Sequence, residues 1–326
     1  MVLSADQLFE TLRAAPLTEQ GDRFQLSFRA MGTPCQLHYQ APSPARGRAF
    51  RDQALRWLAD FEARYSRYRP DSLVSLINDQ AGGEWVPVDR ETEGLFQLCD
   101  WYHWLTRGLF DPTTLPLLRL WDYRQVPFTP PAPDAVERAR ALLGWRRVER
   151  QPGAVRLPER GMAIDLGGIG KEYAVDRVTE LARAAGLSHV LVDFGHDLRV
   201  CGAPPENGPW RIGLEDPLEP GRCWTGVAVT DHAVCTSGGY LRRVEHAGRS
   251  YGHILDPRTG HPSDTPCRAV SVIAPTCTEA GVLATAAFIL GPTEGLALLD
   301  AHHQAEGCLI TERTRYLSRR FHDYML

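Results

Sequence analysis

The chain has 326 residues, of which 43% are hydrophobic and 23% are charged, and its formal net charge is -4 at pH 7. This is the composition of a globular protein, and the length suits one large domain or two smaller ones. The absence of a long basic run excludes the usual signature of a nucleic-acid-binding protein. No apolar run approaches the roughly 18 residues that a membrane-spanning helix needs, so we expect no membrane span.

The beginning of the chain predicts no export signal, and the cysteines of the whole chain predict no disulfide framework. Residues 1–22 are polar and of mixed charge, without the apolar segment of a signal peptide, and we interpret them as an accessory extension with a helix at 5–14. The eight cysteines are scattered and form no Cys-x-x-Cys pair, which is typical of free thiols. Both features predict a cytoplasmic location.

Hydrophobic periodicity predicts one α+β domain over residues 23–326, without repeats or a linker. Apolar residues alternate along the strands and recur every three or four residues along the helices. The predicted helices lie at 45–65, 91–105, 135–143, 172–185 and 278–290, with another from 293. The predicted strands are 24–28, 37–39, 84–88, 146–148, 154–157, 162–164, 190–192, 199–201, 210–214, 224–229, 233–235, 270–274, 307–311 and 315–318.

Three short segments in the first half have both structural and functional interpretations. The Met-Gly-Thr segment at 31–33 predicts the bend of a β-hairpin. Tyr65 and Tyr68 bracket a serine and an arginine, so they could stack on a planar ring and bind a phosphate, or pack at a helix end. Asp111 precedes a proline, which is typical of a turn.

The stretch from Ala163 to Asp197 predicts a strand, a glycine-rich turn, a helix and a second strand. Gly167, Gly168 and Gly170 fall within the turn, and Lys171 follows at once. Glycines let backbone N–H groups approach a ligand, and a helix N-terminus adds positive charge. The turn therefore suits a phosphate or pyrophosphate. A tight structural turn is the alternative, since neither the dinucleotide nor the Walker fingerprint is present.

Two segments in the second half add hydroxyl, imidazole and carboxylate groups. An apolar strand runs into Thr236, Ser237 and Gly238, which could bind an anion or form a plain turn. His253 and Asp256 lie three residues apart. The imidazole could act as a general base near neutral pH, or could have a structural role.

Six motifs in this order resemble the ApbE family, the FAD:protein FMN transferases. The resemblance covers residues 24–311 and rests on 31–33, 65–68 with Leu76 and Asn78, 110–113, 165–171, 236–240 (interrupted by Gly239) and 253–257, with Gly260 and 284–286. It implies a single α+β domain, similar to a T-fold, with mixed or antiparallel sheets and flanking helices.

The resemblance also implies a reaction. FMN would move from FAD to a Thr or Ser hydroxyl in a motif of a target protein, with Mg²⁺ at the pyrophosphate and AMP as the leaving group. His253 and Asp256 would be catalytic, the first assisting the attacking hydroxyl and the second ordering its loop. The Gly170 carbonyl and the Thr285 hydroxyl would bind the metal. By position, FAD would contact Met31, Tyr68, Asp111, Gly168, Lys171, Ser237, Gly238 and His253.

The sequence departs from the family pattern at a metal-binding carboxylate. The family's last helix usually reads Glu-Ala-Asp-Ala-Leu-Ala-Thr and its aspartate binds the metal, whereas this chain has Gly281 there. Mg²⁺ prefers hard oxygen ligands, so we expect Asp197, His196 or a water to replace the carboxylate, and Gly281→Asp to raise Mg²⁺ affinity. Glu279 lies on a different helical face. The family's usual glycine after the glycine-rich run is Glu172 here, without an assigned role.

Three functions stay open at this point. The first is the Mg²⁺-dependent FMN transferase. The second is an FAD-binding relative that lost transfer together with the aspartate, and the third is an FAD pyrophosphatase in which water replaces the protein hydroxyl. The chain contains no Asp-Ser/Thr-Gly-Ala-Ser/Thr acceptor motif of its own, so the acceptor would be another protein.

Overall fold

A computed structural model describes residues 2–204, 208–239 and 243–326; Tyr240, which belongs to the motif at 236–240, lies outside the described residues. The described helices are α1 (Ala5–Arg13), α2 (Pro44–Tyr65), α3 (Leu73–Asp79), α4 (Arg90–Leu105), α5 (Leu115–Leu120), α6 (Pro133–Ala141), α7 (Gly170–Ala184) and α8 (Cys277–Ala301). The described strands are β1 (Leu17–Gln20), β2 (Arg23–Ala30), β3 (Thr33–Gln40), β4 (Val86–Pro87), β5 (Glu149–Gln151), β6 (Ala154–Arg156), β7 (Val190–Phe194), β8 (Asp197–Cys201), β9 (Trp210–Glu215), β10 (Cys223–Val229), β11 (Ala233–Gly238), β12 (Arg243–His246), β13 (Arg249–Gly252), β14 (Leu255–Asp256), β15 (His261–Pro262), β16 (Cys267–Ala274), β17 (Glu306–Thr311) and β18 (Arg315–Leu317).

Nine of the described strands form one large antiparallel sheet. Their order across the sheet is β1-β2-β3-β7-β8-β11-β16-β17-β18. The edge strand β1 comes from the segment at 1–22, and α1 of the same segment packs on α2 with Phe9 and Leu12 in the main core. The predicted accessory extension thus contributes a strand and a helix to the domain in this structure.

The middle of the sheet is buried on both faces. Helices α2, α7 and α8 cover one face and form the main core with it. The β9–β10 hairpin covers the other face with a second cluster, in which the buried residues are Leu198, Val200, Leu214, Val227, Val229, Val234, Ile273, Cys308 and Phe321. This burial explains why β8 and β17 are closed to solvent along their whole length, whereas β2 alternates buried and exposed residues.

Asp176 of α7 fixes the position of α8. Its carboxylate accepts hydrogen bonds from Cys277 N (2.8 Å), Thr278 N (2.9 Å) and the Thr278 hydroxyl (2.6 Å), and it pairs with Arg199 at 3.0 Å. The first N–H groups of a helix lack partners within the helix, so a carboxylate there stabilises it. Burial raises the pKa of Asp176, although Arg199 and these hydrogen bonds oppose the rise. The two helices are thereby held together at this point.

Most predicted elements are confirmed, and two glycines act as predicted. Gly186 follows α7 with φ of 75°, the left-handed conformation of a helix C-terminus. Gly291 interrupts α8 with φ of 77° just before Pro292, which explains why the sequence predicts one helix up to 290 and another from 293. The predicted α+β class, with antiparallel sheets and flanking helices, is also confirmed.

Two predicted strands are wrong. Residues 162–164 lie in the described part of the chain and form no strand, because the backbone of Ile164 bonds to a side chain instead. Ile164 N donates to Asn78 Oδ1 (2.7 Å), and Asn78 Nδ2 donates to the Ile164 carbonyl (3.0 Å). Residues 145–147 form a 3₁₀ turn, and the strand begins only at Glu149.

One helix passes a composition test for a membrane span. Within the described residues, α8 alone is long and apolar enough to cross a membrane, and 56% of its most apolar window is buried inside the domain. A core helix passes the same test when it is mostly buried. The expected absence of a membrane span and the cytoplasmic location stay predictions.

We expect iodoacetamide to modify Cys223 and spare the other seven cysteines in the folded, reduced protein. All eight are described as free thiols, and Cys223 is the exposed one. Burial raises the pKa of Cys35 and Cys308 to about 12, so little reactive thiolate forms at pH 8. Intact-protein mass spectrometry should show one adduct before unfolding and eight after it. Several adducts on the folded protein would contradict the burial described here.

Candidate functional site

The glycine-rich turn presents its backbone at the beginning of α7. Gly167 and Gly168 are exposed, whereas Gly170 is buried as the first residue of the helix. The turn is held by Asp165, whose N donates to the Pro112 carbonyl (2.8 Å) and whose Oδ1 accepts from Gly167 N (3.1 Å). Because a helix N-terminus carries partial positive charge, this exposed backbone can bind an anion.

Asp111 stabilises its own turn. Its Oδ1 accepts from the backbone N and the hydroxyl of Thr113, and its Oδ2 accepts from Trp145 N at 3.2 Å. This is the structural interpretation that the following proline suggested. The segment still borders the anion site, since a Cβ on Gly168 would lie 3.6 Å from the Phe110 ring. Contact of Asp111 with FAD stays a prediction.

The two tyrosines of the motif at 65–68 have different environments. Tyr65 is buried, and its hydroxyl is hydrogen-bonded to the Thr92 hydroxyl at 2.8 Å, so it packs at the end of α2. Tyr68 is 68% exposed, and the Arg67 guanidinium lies 4.5 Å from the centroid of its ring. Arg67 also lies 3.4 Å from Asp165. Tyr68 can therefore stack on a planar ring beside the glycine-rich turn.

Met31 lies in the bend of the β2–β3 hairpin, as predicted. Its backbone is left-handed, with φ of 51°, and its N donates to Glu62 Oε2 at 2.8 Å. Thr33 contacts Gly195, whose N donates to the Pro34 carbonyl at 2.8 Å. The bend is therefore packed beside the β7–β8 turn, which leads directly into Asp197.

Lys171 lies within a cluster of charges. Its Nζ contacts the Asp197 carboxylate and lies 3.1 Å from Glu172 Oε1. Burial is the strongest single influence and acts to lower the pKa of Lys171, but the Glu172 carboxylate and the Cys277 and Cys235 thiols together raise the pKa above its ordinary value. Asp197 Oδ1 also accepts from Thr236 N at 3.1 Å. The cluster therefore joins the beginning of α7 to β8 and β11.

A pair of hydroxyls links β11 to α8. Ser237 Oγ and Thr285 Oγ1 are hydrogen-bonded at 2.8 Å, and both residues are partly exposed. Gly238 follows at the end of β11, where it pairs with Ala269 of β16. The segment at 236–238 is thus the end of a strand, and its hydroxyls lie where two elements of the predicted site meet.

Asp256 orders the loop that follows His253. Arg258 N, Nε and Nη2 all donate to the Asp256 carboxylate, at 2.9, 3.0 and 2.8 Å, and Gly260 N donates to its carbonyl at 2.8 Å. The half-buried His253 ring lies 6.3 Å from the ring of Tyr123. Ile254 packs against the cluster of Leu109, Ala286 and Ile289, so the loop approaches α8 beside Thr285.

Glu172 lies directly against Gly281. A Cβ built on Gly281 would be 2.6 Å from Glu172 Cγ, 3.3 Å from its Cδ and 3.4 Å from its Oε1. Glu172 is 7% exposed, and its Oε2 has no hydrogen-bond partner in the described part of the chain. The space beside Gly281 is therefore filled by a carboxylate of the neighbouring helix.

The sequence profile of the ApbE family matches residues 31–309. The chain belongs to the ApbE family. One relative, the FAD:protein FMN transferase of Treponema pallidum, is 33% identical over 286 residues, which are 82% of this chain and 79% of that protein. The protein of the same name from Vibrio cholerae is 28% identical over 308 residues, 90% of each chain. The resemblance predicted from the six motifs is confirmed.

Solved structures of ApbE proteins share the fold. The ApbE protein from Thermotoga maritima has a TM-score of 0.85 and 29% identity, over 93% of this chain and 99% of that one. The flavin transferase ApbE from Vibrio cholerae has a TM-score of 0.83 and 27% identity, over 95% of this chain and all of that one. The family's fold is thus confirmed over nearly the whole chain.

The side chains expected to replace the missing aspartate are either exposed or already paired. His196 is exposed, with 88% of its side chain accessible, and its N donates to Asp193 Oδ1 at 2.7 Å. Asp197 binds Lys171 and a backbone N–H, as described above. Glu279 lies 3.4 Å from His302, which agrees with its assignment to another face of α8. The side chain that does reach the position is Glu172.

The expectation for Gly281→Asp needs correction. The aspartate Cβ would clash with Glu172 Cγ, so the single substitution has to displace a residue that already puts a carboxylate there. The sequence contained the signal for this arrangement, because the family's glycine is Glu172 and the family's aspartate is Gly281. At one position an acidic residue replaces the small one, and at the other a small residue replaces the acidic one. Only the packing of α7 on α8 brings the two positions together.

We expect Asn78→Ala to lower the free energy of unfolding by about 1–3 kcal/mol, because it leaves the buried N–H and carbonyl of Ile164 without their partners. Gln80→Ala, two residues further on at an exposed position, is the matched control and should change it by less than about 0.5 kcal/mol. Urea denaturation measures both. Equal effects would show that the hydrogen bonds between Asn78 and Ile164 do not stabilise the fold.

Proposed function

We propose that this chain is an FAD:protein FMN transferase, which binds FAD and transfers its FMN half to a Thr or Ser hydroxyl of another protein. Family membership over residues 31–309 and relatives of that name support the proposal. The observation that carries it is the beginning of α7, where exposed glycine backbone precedes Lys171 at a positively charged helix end. A pyrophosphate is the part of FAD that such a site recognises.

The reaction exchanges the phosphoanhydride bond of FAD for a phosphoester bond to the acceptor protein. The acceptor oxygen forms a bond to the phosphorus of the FMN half, the bond from that phosphorus to the bridging oxygen breaks, and AMP leaves with that oxygen. The hydroxyl proton passes to a base, for which His253 is the group in this site. The positive end of α7, preceded by the exposed backbone of Gly167 and Gly168, stabilises negative charge on the phosphates.

The residues present fit a divalent cation when the phosphate oxygens of FAD complete its ligands. Among the described residues, no group of three or more His, Cys, Asp or Glu side chains could hold a metal. A cation here would need the Gly170 carbonyl, the Thr285 hydroxyl and phosphate oxygens, and the unpartnered Glu172 Oε2 offers an acidic oxygen next to Gly281, one helical turn before Thr285. When bound, Mg²⁺ would neutralise pyrophosphate charge and help to orient it.

The two alternatives are not favoured. The relatives named above are transferases, and no relative among them is named a pyrophosphatase or a binding protein. This chain also keeps a histidine and an ordered Asp-Pro-Arg turn in the segment that would face the acceptor. A protein that only stores FAD would have no use for a base there.

We expect His253→Ala to keep FAD binding within about twofold and to lower the transfer rate by about 10²- to 10⁴-fold, because a general base contributes on that scale. Transfer is followed as AMP release and as the mass of an acceptor protein that carries the Asp-Ser/Thr-Gly-Ala-Ser/Thr motif. FAD binding is followed by quenching of flavin fluorescence.

The matched control is His196→Ala, which removes an exposed imidazole from the β7–β8 turn. It should leave both FAD binding and AMP release unchanged. Loss of FAD binding in His253→Ala, with transfer per bound FAD intact, would give His253 a structural role and would contradict the assignment.

A further inference from the structure

We propose that Glu172 supplies, from α7, the metal-binding carboxylate that the family usually has on α8, and that Gly281 is required to make room for it. The inference rests on the proposed function, since it concerns the cation at the pyrophosphate. It assigns a role to Glu172 that follows from this chain's own packing.

Steric contact is the first argument. The Glu172 side chain occupies the volume that an aspartate at 281 would need, with its Cδ and Oε1 at 3.3 and 3.4 Å from the Cβ position of Gly281. Two acidic side chains cannot share this space, and two glycines would leave it empty. The space beside Gly281 of α8 therefore contains one carboxylate, which belongs to Glu172 of α7.

The register of the two helices is the second argument. Asp176 of α7 binds the N–H of Cys277, the first residue of α8. One helical turn earlier on α7 and one turn later on α8, Glu172 meets Gly281. The helices therefore run antiparallel here, and a further turn along α8 leads to Thr285. Residues four apart share a helix face, so the Glu172 carboxylate lies on the face that carries the Thr285 hydroxyl.

The unsatisfied oxygen is the third argument. Lys171 Nζ lies 3.1 Å from Glu172 Oε1 and also contacts Asp197, so the ion pair accounts for one oxygen of Glu172 only. Oε2 is buried and has no hydrogen-bond partner in the described part of the chain. A buried carboxylate oxygen without a partner costs free energy. A hard cation would satisfy it with the oxygen ligand that Mg²⁺ prefers.

Charge balance agrees with this assignment. Lys171 is the cation of the cluster, and Asp197 already neutralises it while accepting from Thr236 N. Glu172 therefore brings an additional negative charge to the beginning of α7. An additional carboxylate beside an anion-binding turn would oppose pyrophosphate binding, unless a cation lies between them.

The test measures Mn²⁺ binding, as a paramagnetic probe for Mg²⁺, in the full chain with FAD and without an acceptor protein. Free Mn²⁺ is followed by electron paramagnetic resonance, which does not depend on turnover. Glu172→Gln keeps the shape and removes the charge. It should weaken Mn²⁺ binding at least about tenfold, since loss of a group that only orients a ligand already costs about 10- to 100-fold.

Gly281→Ala tests the space rather than the charge. Its Cβ would lie 2.6 Å from Glu172 Cγ and should displace the side chain, so we expect weaker Mn²⁺ binding although every acidic residue is retained. Gly94→Ala is the matched control, because a Cβ on that glycine of α4 would meet nothing within 4 Å. It should bind Mn²⁺ like the unmodified chain.

The decisive variant is Glu172→Gly combined with Gly281→Asp, which returns the carboxylate to α8 and empties the space on α7. We expect it to bind Mn²⁺ within about threefold of the unmodified chain, although Glu172→Gly alone binds weakly. With Gly281→Asp alone as the fourth protein, a double-mutant cycle gives the coupling between the two positions. Circular dichroism and thermal melting confirm that each variant is folded.

Unchanged Mn²⁺ binding in folded Glu172→Gln, or no recovery in the folded double variant, would overturn the inference. The proposed function fails differently. An unmodified chain that binds FAD yet never releases AMP to an acceptor would contradict the transferase, while the Mn²⁺ titrations of the variants would still report whether Glu172 binds the metal.

Discussion

The charge of Lys171 is the constraint on which the geometry of the site depends. An ammonium group that is largely removed from water is costly unless acidic groups face it, and this half-buried lysine stands in the first turn of α7, where the helix end is already positive. Asp197, the first residue of β8, pairs with Lys171 through one oxygen, and its other oxygen accepts a hydrogen bond from Thr236 N of β11. One ion pair therefore aligns a helix end with two strands. This pairing fixes where the anion-binding turn lies relative to the sheet.

A second buried carboxylate extends this alignment to α8. Asp176 lies further along α7 and satisfies the first N–H groups of α8 while pairing with Arg199 of β8. A shift of α8 by one turn would leave those N–H groups without their acceptor. Thr285 is thus held level with Ser237, and the two hydroxyls can bond. The polar contacts between α7 and α8 determine which residues of the two helices meet.

Local signals predicted the helices and strands well, because each signal depends only on the residues of its own segment. Alternation along β2, the glycine after α7 and the Gly-Pro break in α8 all report on their own backbone. The strand expected at 162–164 was wrong, because Asn78, distant in sequence, takes the backbone hydrogen bonds that a neighbouring strand would have made. The different roles of Tyr65 and Tyr68 could not be predicted from the sequence either, because the partner of the buried Tyr65 hydroxyl is Thr92 of another helix. Hydrophobic periodicity predicts which face of a helix or strand is buried, but only the tertiary structure shows which residues pack against that face.

The contact between Glu172 and Gly281 shows the same limit for function. Considered alone, a glycine in place of a metal-binding aspartate indicates a lost ligand, and a glutamate in place of a glycine indicates crowding of a binding turn. In the folded chain the second residue fills the space left by the first and restores one acidic group to it. The site constrains the volume and charge of a pocket, and either of two helices can meet that constraint. A missing ligand is therefore evidence of lost chemistry only when no neighbouring helix can deliver the same group to the same space.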